Sequence, residues 1–309
     1  MKRIFLYIVV LICIPFFVVN FINIKELEPI EINLKYLSNI LVRVKREDGS
    51  IEKVFLEEYV TGVVAGEMPA SFELEALKAQ SVASRTYVLK KILNNSNTDY
   101  DIVDTVINQV YLDEEQLKKK WGNKYTEYIN KIRTAVNETS MEYLEYNNEI
   151  VDALFFSTSN GYTEDSGVFF SSNLPYLKSV ESFWDEEVAS TFNSSTSMSL
   201  QEFYEKLNIN YNSKLEVEIL EKSDSNRIVK LKINGREFLG KEIYNKLKLK
   251  SCDFVLKQVG NNVVIDTKGY GHGVGMSQYG AHGMAKSGYD YKKILTHYYT
   301  GTQIVKYVK

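Results

Sequence analysis

A chain of 309 residues, 44% of them hydrophobic and 25% charged, has the make-up of one large globular body or two ordinary ones, with ample material for a core. Its formal net charge of -3 lacks the basic footprint of a general nucleic-acid binder, so no nucleic-acid partner is expected. With only Cys13 and Cys252, neither a disulfide framework nor a thiolate metal cluster can be built within one chain.

Lys2 and Arg3 precede residues 4–22, which are apolar apart from Tyr7 and Asn20 and long enough to cross a bilayer. Mainly acidic residues follow, so the positive-inside tendency places the N-terminus in the cytoplasm and the body outside. No small-x-small cleavage pattern follows Ile22, which favours an uncleaved single-pass anchor over residues 1–24 and a linker over 25–39.

Ile40, Val42 and Val44 alternate with Leu41, Arg43 and Lys45, and Asp48-Gly49 turns the chain into residues 51–55, which reads as a hairpin. A helix carrying Leu56, Tyr59, Val60, Val63 and Val64 leads to Gly66-Glu67-Met68-Pro69, where Pro69 disfavours helical geometry at Met68. Glu67 sits at that helix end in an apolar sequence. Desolvation there raises a carboxylic pKa, which makes Glu67 the candidate general acid. Ser71 is expected to cap the next helix, on which Lys78 and Arg85, two turns apart, point to nearly the same side. On that helix Ala76, Ala79, Ala83 and Tyr87 form a stripe suited to close packing. By spacing alone, a surface carboxylate and two solvated cations would look the same.

Helices are expected over 114–120 and 125–138, and a second hairpin over 141–146 and 149–156 around Asn147-Asn148. The hydroxyl-rich loop from Ser157 through Glu164 and Asp165 leaves a strand, where scaffolds commonly place function. Residues 190–199 read as a polar seam and Ser199 with Glu202 as a capping box. Residues 200–265 read as a β-rich subdomain, with Val229, Leu231 and Ile233 alternating up to an Asn234-Gly235 turn. Gly269, Gly271, Gly273 and Gly275 then alternate, which lets the backbone approach a ligand closely. The surroundings of a dinucleotide loop are missing, and His272, His282 and His297 have no standard zinc spacing. A substrate wall bearing His272, Gln278 and Tyr279 is what remains. The expected fold class is α+β: a mixed helical and β-hairpin catalytic body over 40–309 with a β-rich subdomain, preceded by one transmembrane helix. Twenty-two tyrosines suit a sugar-binding groove, and ordinary cores as well.

With Ala65-Gly66-Glu67-Met68-Pro69, Ala79-Gln80-Ser81-Val82-Ala83-Ser84-Arg85-Thr86-Tyr87, Ser157-Thr158-Ser159-Asn160-Gly161-Tyr162-Thr163-Glu164, Pro175-Tyr176-Leu177-Lys178-Ser179-Val180 and Gly271-His272-Gly273-Val274-Gly275-Met276-Ser277-Gln278-Tyr279-Gly280 all present in that order, the chain resembles the stage II sporulation protein D family. The resemblance runs from about Leu41 to the C-terminus. It implies a peptidoglycan lytic transglycosylase of the mother-cell membrane, acting during engulfment on glycan strands stripped of stem peptides by stage II sporulation protein P, with stage II sporulation protein M anchoring the complex. The family's catalytic acid falls on Glu67, and residues needed for activity or binding fall on Lys78, Arg85, Tyr176 and Lys178. His272, Gln278 and Tyr279 lie in its glycine-rich block. Some relatives hold zinc with cysteines; this chain has none between Cys13 and Cys252, so no cofactor is expected.

In the reaction so implied, Glu67 protonates the oxygen bridging N-acetylmuramic acid and N-acetylglucosamine, then takes the proton of the muramoyl 6-hydroxyl as it closes onto C1. Lys78, Arg85 and Lys178 would meet the lactyl carboxylates bared by peptide removal. The alternatives are a hydrolytic muramidase with Glu164 or Asp165 as second carboxylate, and a non-catalytic wall-binding enhancer of an amidase.

Overall fold

The first strands pair as their alternation predicts: β1 (Leu41–Lys45) lies antiparallel to β2 (Ile51–Phe55), with Val42 opposite Val54, and Val42, Val44 and Val54 are buried. The computed structural model describes residues 39–95, 97–105, 108–170 and 172–307. The expected anchor over 1–24 lies outside these residues, and no helix among the described residues is long and apolar enough to cross a membrane.

Helix α1 (Leu56–Glu67) buries Leu56, Tyr59, Val60, Val63 and Val64 and stops where Pro69 forces Met68 into an extended conformation (φ -121°, ψ 138°). The next helix, α2 (Leu74–Asn94), starts later than Ser71 allows. Phe72 N–H donates to Pro69 O, so Ser71 is spent inside a turn and Glu73 takes the cap position without a side-chain bond. A short β3 (Ile102–Val103) runs parallel to β1. Asp113 and Gln116 form a reciprocal capping box for α3 (Glu114–Trp121), and a 3₁₀ turn (Gly122–Lys124) leads into α4 (Tyr125–Glu138). These two helices fall where the sequence places them.

The second hairpin is shorter than expected. β4 (Glu142–Tyr146) pairs with β5 (Glu149–Ile150) through two left-handed asparagines, Asn147 and Asn148. The chain then departs because Val151 and Ala153 sink into the core, and β6 (Phe155–Phe156) pairs in parallel with the late strand β13 (Met276–Ser277). Short helices α5 (Ser166–Phe170) and α6 (Trp184–Val188) follow.

Residues 190–199, the expected seam, lie where the chain passes from the larger core to the smaller one, and they are ordered. Most of them form β7 (Asn193–Ser199), whose hydroxyls bond across the sheet, Ser194 to Thr267 at 2.6 Å and Ser195 to Asp266 at 2.7 Å. β7 is an edge strand, in order β11 (Asp253–Val259), β12 (Asn262–Lys268), β7, so its composition fits a strand with one side in water. Ser199 caps α7 (Leu200–Leu207) by accepting from Glu202 N–H. A second sheet orders β10 (Arg236–Leu239), β9 (Ile228–Ile233) and β8 (Val217–Lys222). In chain order, a helix that the strand-rich reading does not include, α8 (Gly240–Leu247), follows β10 and precedes β11. Its start lies so close to β9 that a Cβ on Gly240 would sit 1.8 Å from Ile228 O. Phe203, Leu207, Leu231, Ile233, Ile243 and Ile265 form a core of their own.

The chain returns to the larger core through the alternating glycines, α9 (Gln278–Lys286), α10 (Tyr291–Tyr298) and β14 (Gln303–Lys306), which pairs with β4. The glycines do approach something closely, but it is the protein. A Cβ on Gly269, Gly271, Gly273 or Gly275, all at positive φ, would stand 2.0–2.8 Å from Thr158 O, Phe156, Arg227 or Leu154 O. This segment therefore clamps β6 against the smaller lobe. Asn160 completes the clamp by donating to Ser225 O and Asp253 Oδ2, both at 2.8 Å.

Candidate active site

The last turn of α1 supplies a carboxyl with an unusual setting. Glycines one turn apart let the chain after α2 lie directly against α1, for a Cβ on Gly62 would meet Leu112 O at 2.5 Å and one on Gly66 would meet Val110 O at 2.4 Å. That approach brings Val110 N–H to Glu67 Oε1 at 2.6 Å. Oε2 makes no hydrogen bond among the described residues. Burial raises the Glu67 pKa above the ordinary carboxylate value, opposed by the Val110 bond and the charge of Lys120. The C-terminal end of a helix also disfavours an anion.

Glu67 lines a cavity of about 670 Å³ together with Tyr87, Lys91, Asn108, Asp152, His272 and Gln278. Three of the expected site residues, Glu67, His272 and Gln278, are thus brought together from both ends of the chain. The His272 ring sits among Phe156, Phe169 and Phe170, with centroids 5.3–5.8 Å away, and its Nδ1 accepts from Val274 N–H at 3.0 Å. Burial, helped by the nearby Arg227 charge, pushes its pKa down to about 4. The ring is therefore neutral at physiological pH, with Val274 N–H on Nδ1 and a further backbone bond to Phe155 fixing it in the cavity wall. Titrating the imidazole by NMR should reveal no inflection for His272 between pH 5 and 8; one near 6.5 would contradict this setting. Gln278 begins α9 and donates to Gln80 Oε1 at 3.4 Å, which ties the glycine-rich block to α2.

The other expected residues lie elsewhere. Lys78 and Arg85 do point to one side of α2, but that side faces α4. Lys78 pairs with Glu75 and Glu138, each at 2.6 Å. Arg85 is wholly buried, gripping Glu57 through two bonds of 2.9 and 2.6 Å and donating to Glu142 O at 3.0 Å. Of α2, Tyr87 and Lys91 line the cavity, and Ser84 and Gln80, one and two turns earlier, lie buried beneath its wall: Ser84 O accepts from Gln109, Tyr87 OH from Asn108 at 3.2 Å. The spacing of Gln80, Ser84, Tyr87 and Lys91 along one side of the helix is legible in the sequence.

Tyr176 is buried behind the cavity, its hydroxyl accepting from Asp152 N–H at 3.0 Å. Lys178 is held by Asp165 at 3.0 Å and Asn173 at 2.7 Å. Tyr279 packs edge-on to Phe72 with centroids 4.9 Å apart. Nor do Glu164 and Asp165 reach the cavity as a second carboxylate would. Glu164 is buried under the hydroxyls of Ser223 and Ser225 at 2.6 and 2.8 Å, and so joins the two lobes. Asp152 is the other carboxylate that lines the cavity. On another face of α1, a groove of about 460 Å³ is lined by Glu52, Glu58, Asp113, Glu114 and Glu115 together with Lys53 and Arg133, an acidic excess.

Against known proteins, a family model described as Stage II sporulation protein matches residues 45–146, and one described as a domain of unknown function matches residues 115–275. The chain is 43% identical over 260 residues to the stage II sporulation protein D of Bacillus subtilis (strain 168), covering 82% of this chain and 76% of that one. It is 42% identical over 288 residues to the protein of the same name in Bacillus amyloliquefaciens, covering 91% and 83%. A more distant relative, at 28% identity over 80% of this chain and 40% of its own, is an amidase enhancer of Bacillus subtilis (strain 168).

Proposed function

Because the chain belongs to the stage II sporulation protein D family, we propose that its cavity cleaves peptide-stripped peptidoglycan strands as a lytic transglycosylase, with Glu67 as the one acid and base. The observation that carries this reading is the Glu67 carboxyl itself. One oxygen is held by Val110 N–H, the other makes no hydrogen bond among the described residues, the residue lines a cleft large enough for sugar rings, and burial favours the protonated form. In the reaction, that proton passes to the bridging oxygen as the bond from muramoyl C1 breaks. The 6-hydroxyl of the same sugar then closes onto C1 and gives its proton back to Glu67. No water is consumed, and the carboxyl ends as it began. Gln278 would hold a sugar hydroxyl or amide, and neutral His272 would shape the wall beside it without competing for the proton. Action during engulfment, after an amidase such as stage II sporulation protein P, alongside stage II sporulation protein M and with a tether through residues 4–22, belongs to the same reading.

Mass spectrometry of products from denuded glycan tests it. The expected end is 1,6-anhydro-N-acetylmuramic acid, lighter by one water than a hydrolysed end and free of label after incubation in heavy-oxygen water. Label at muramoyl C1 would make the enzyme a hydrolytic muramidase and direct attention to Asp152, since Glu164 and Asp165 stand outside the cavity. Absence of any cleavage would favour the non-catalytic alternative, an enhancer of an amidase, the name one distant relative carries.

A further inference from the structure

Glu67 lines a second space as well, a groove of about 350 Å³ shared with Met68, Pro69, Lys120, Trp121 and Tyr128. An enzyme that cuts inside a polymer has to hold sugars on both sides of the broken bond, and two spaces that share the acid among their lining residues are the candidates for those two sides. The groove has the components of a sugar site. Trp121 is partly exposed, is braced edge-on by Tyr128 with centroids 5.6 Å apart at 85°, and has the Lys120 ammonium 6.0 Å from its ring centroid, so an aromatic surface and a cation stand together in the groove.

Charge separates this groove from the positions the sequence singled out. Lys78, Arg85 and Lys178 are all committed to carboxylates. Lys120 and Lys91 make no ion pair among the described residues. Lys120 Nζ donates to Ala65 O at 2.9 Å in the last turn of α1, which aims the ammonium beside Glu67 and leaves two of its three N–H groups unspent. Lys91 Nζ lies 5.1 Å from the Tyr87 ring centroid at the wall of the larger cavity. One unpaired cation therefore serves each space.

On the reading of Glu67 given above, we infer that Lys120, Trp121 and Tyr128 form a second saccharide subsite, and that Lys120 there and Lys91 in the main cavity bind the lactyl carboxylates of the strand. Peptide removal exposes one such carboxylate on every muramic acid, so an anionic strand crossing Glu67 meets a cation in each space. Engagement of Lys120 by substrate also weakens the one nearby charge that favours ionised Glu67, and so keeps the acid loaded.

Calorimetric titration of the Glu67→Gln protein with a defined N-acetylglucosamine–N-acetylmuramic acid oligosaccharide separates binding from cleavage. The same oligosaccharide with its carboxyls amidated serves as comparator. The parent should prefer the free-carboxylate form by about tenfold or more, the value of a charge-assisted hydrogen bond. Lys120→Gln and Lys91→Gln should each remove much of that preference while leaving binding of the amidated form unchanged. Trp121→Phe should bind both forms nearly as well as the parent and Trp121→Ala should weaken both by roughly three- to tenfold. Lysine variants that retain the full preference, or a Trp121→Ala protein that binds both forms like the parent while melting normally, would overturn the inference. Failure of the transglycosylase reading would be seen in the wild-type products instead, and leaves these binding results to stand by themselves.

Discussion

Glu67→Gln is expected to slow cleavage of denuded glycan by roughly 10²- to 10⁴-fold, the contribution of a positioned acid–base group, with the fold intact. The amide keeps the shape of the side chain and can still accept the Val110 N–H bond that fixes Oε1, but has no proton to give or take at the open position. The pH dependence has a definite sign. The acid must be protonated, and burial raises its pKa, so wild-type cleavage should persist above the pH at which an ordinary carboxyl would be spent, then fall as pH rises through the raised value. Stability should follow the same group. Native Glu67 binds its proton more tightly than the unfolded chain does, so its favourable term is full below the unfolded carboxylate pKa and is lost as pH rises through the folded one. Glu67→Gln should accordingly melt higher than the wild type on the alkaline side of that window and lose this advantage in acid. A variant that retains near-normal rates would remove Glu67 from the chemistry, and a common loss of folding would invalidate the comparison with the isosteric amide.

Arg85→Ala should lower stability by about 3–5 kcal/mol, a fall in melting temperature on the order of 10 °C, because it leaves the Glu57 carboxylate buried without its counter-charge. The guanidinium also holds Glu142 O, and Glu57 in turn accepts from Met141 N–H at 3.2 Å, so one pair locks α1, α2 and the start of β4 together. Arg85→Lys keeps the charge but cannot make the paired bonds, and should fall between the two. Replacing both partners by apolar residues, Glu57→Leu with Arg85→Met, should recover part of the loss, since no lone charge then remains inside. Thermal melts and activity at low temperature distinguish this from a substrate contact: molecules that fold should retain most of their activity. An Arg85→Ala protein that melts like the wild type yet cannot process glycan would instead place the guanidinium at the substrate.

Local sequence rules carried the helix end at Pro69, the Asp113 to Glu138 helices and the Ser199 cap, because each depends on bonds within a few residues. Glu67 was legible for the same reason, through its apolar flanks. The polar stretch before Ser199 does not announce a strand, since Ser and Thr serve an edge strand and a loop alike, and only the pairing of β7 with β12 decides between them. The glycine-rich block told that backbone would come close to something, and only the packing identifies β6 and Arg227 as its neighbours.

What the sequence determined by itself was the family, through five motifs in order, the α+β class of the described chain and a carboxyl placed to be desolvated. What the tertiary structure decided was which charges face the cleft. Helical spacing says that Lys78 and Arg85 share a side, but not whether that side looks at solvent, substrate or another helix. Glu57 and Glu138, brought from distant positions, neutralise both cations, whereas Lys91 and Lys120 meet no such partner among the described residues and stay at the walls around Glu67. A charge's role depends on the groups within a few ångströms of it, and for these lysines those groups are assembled only by long-range packing.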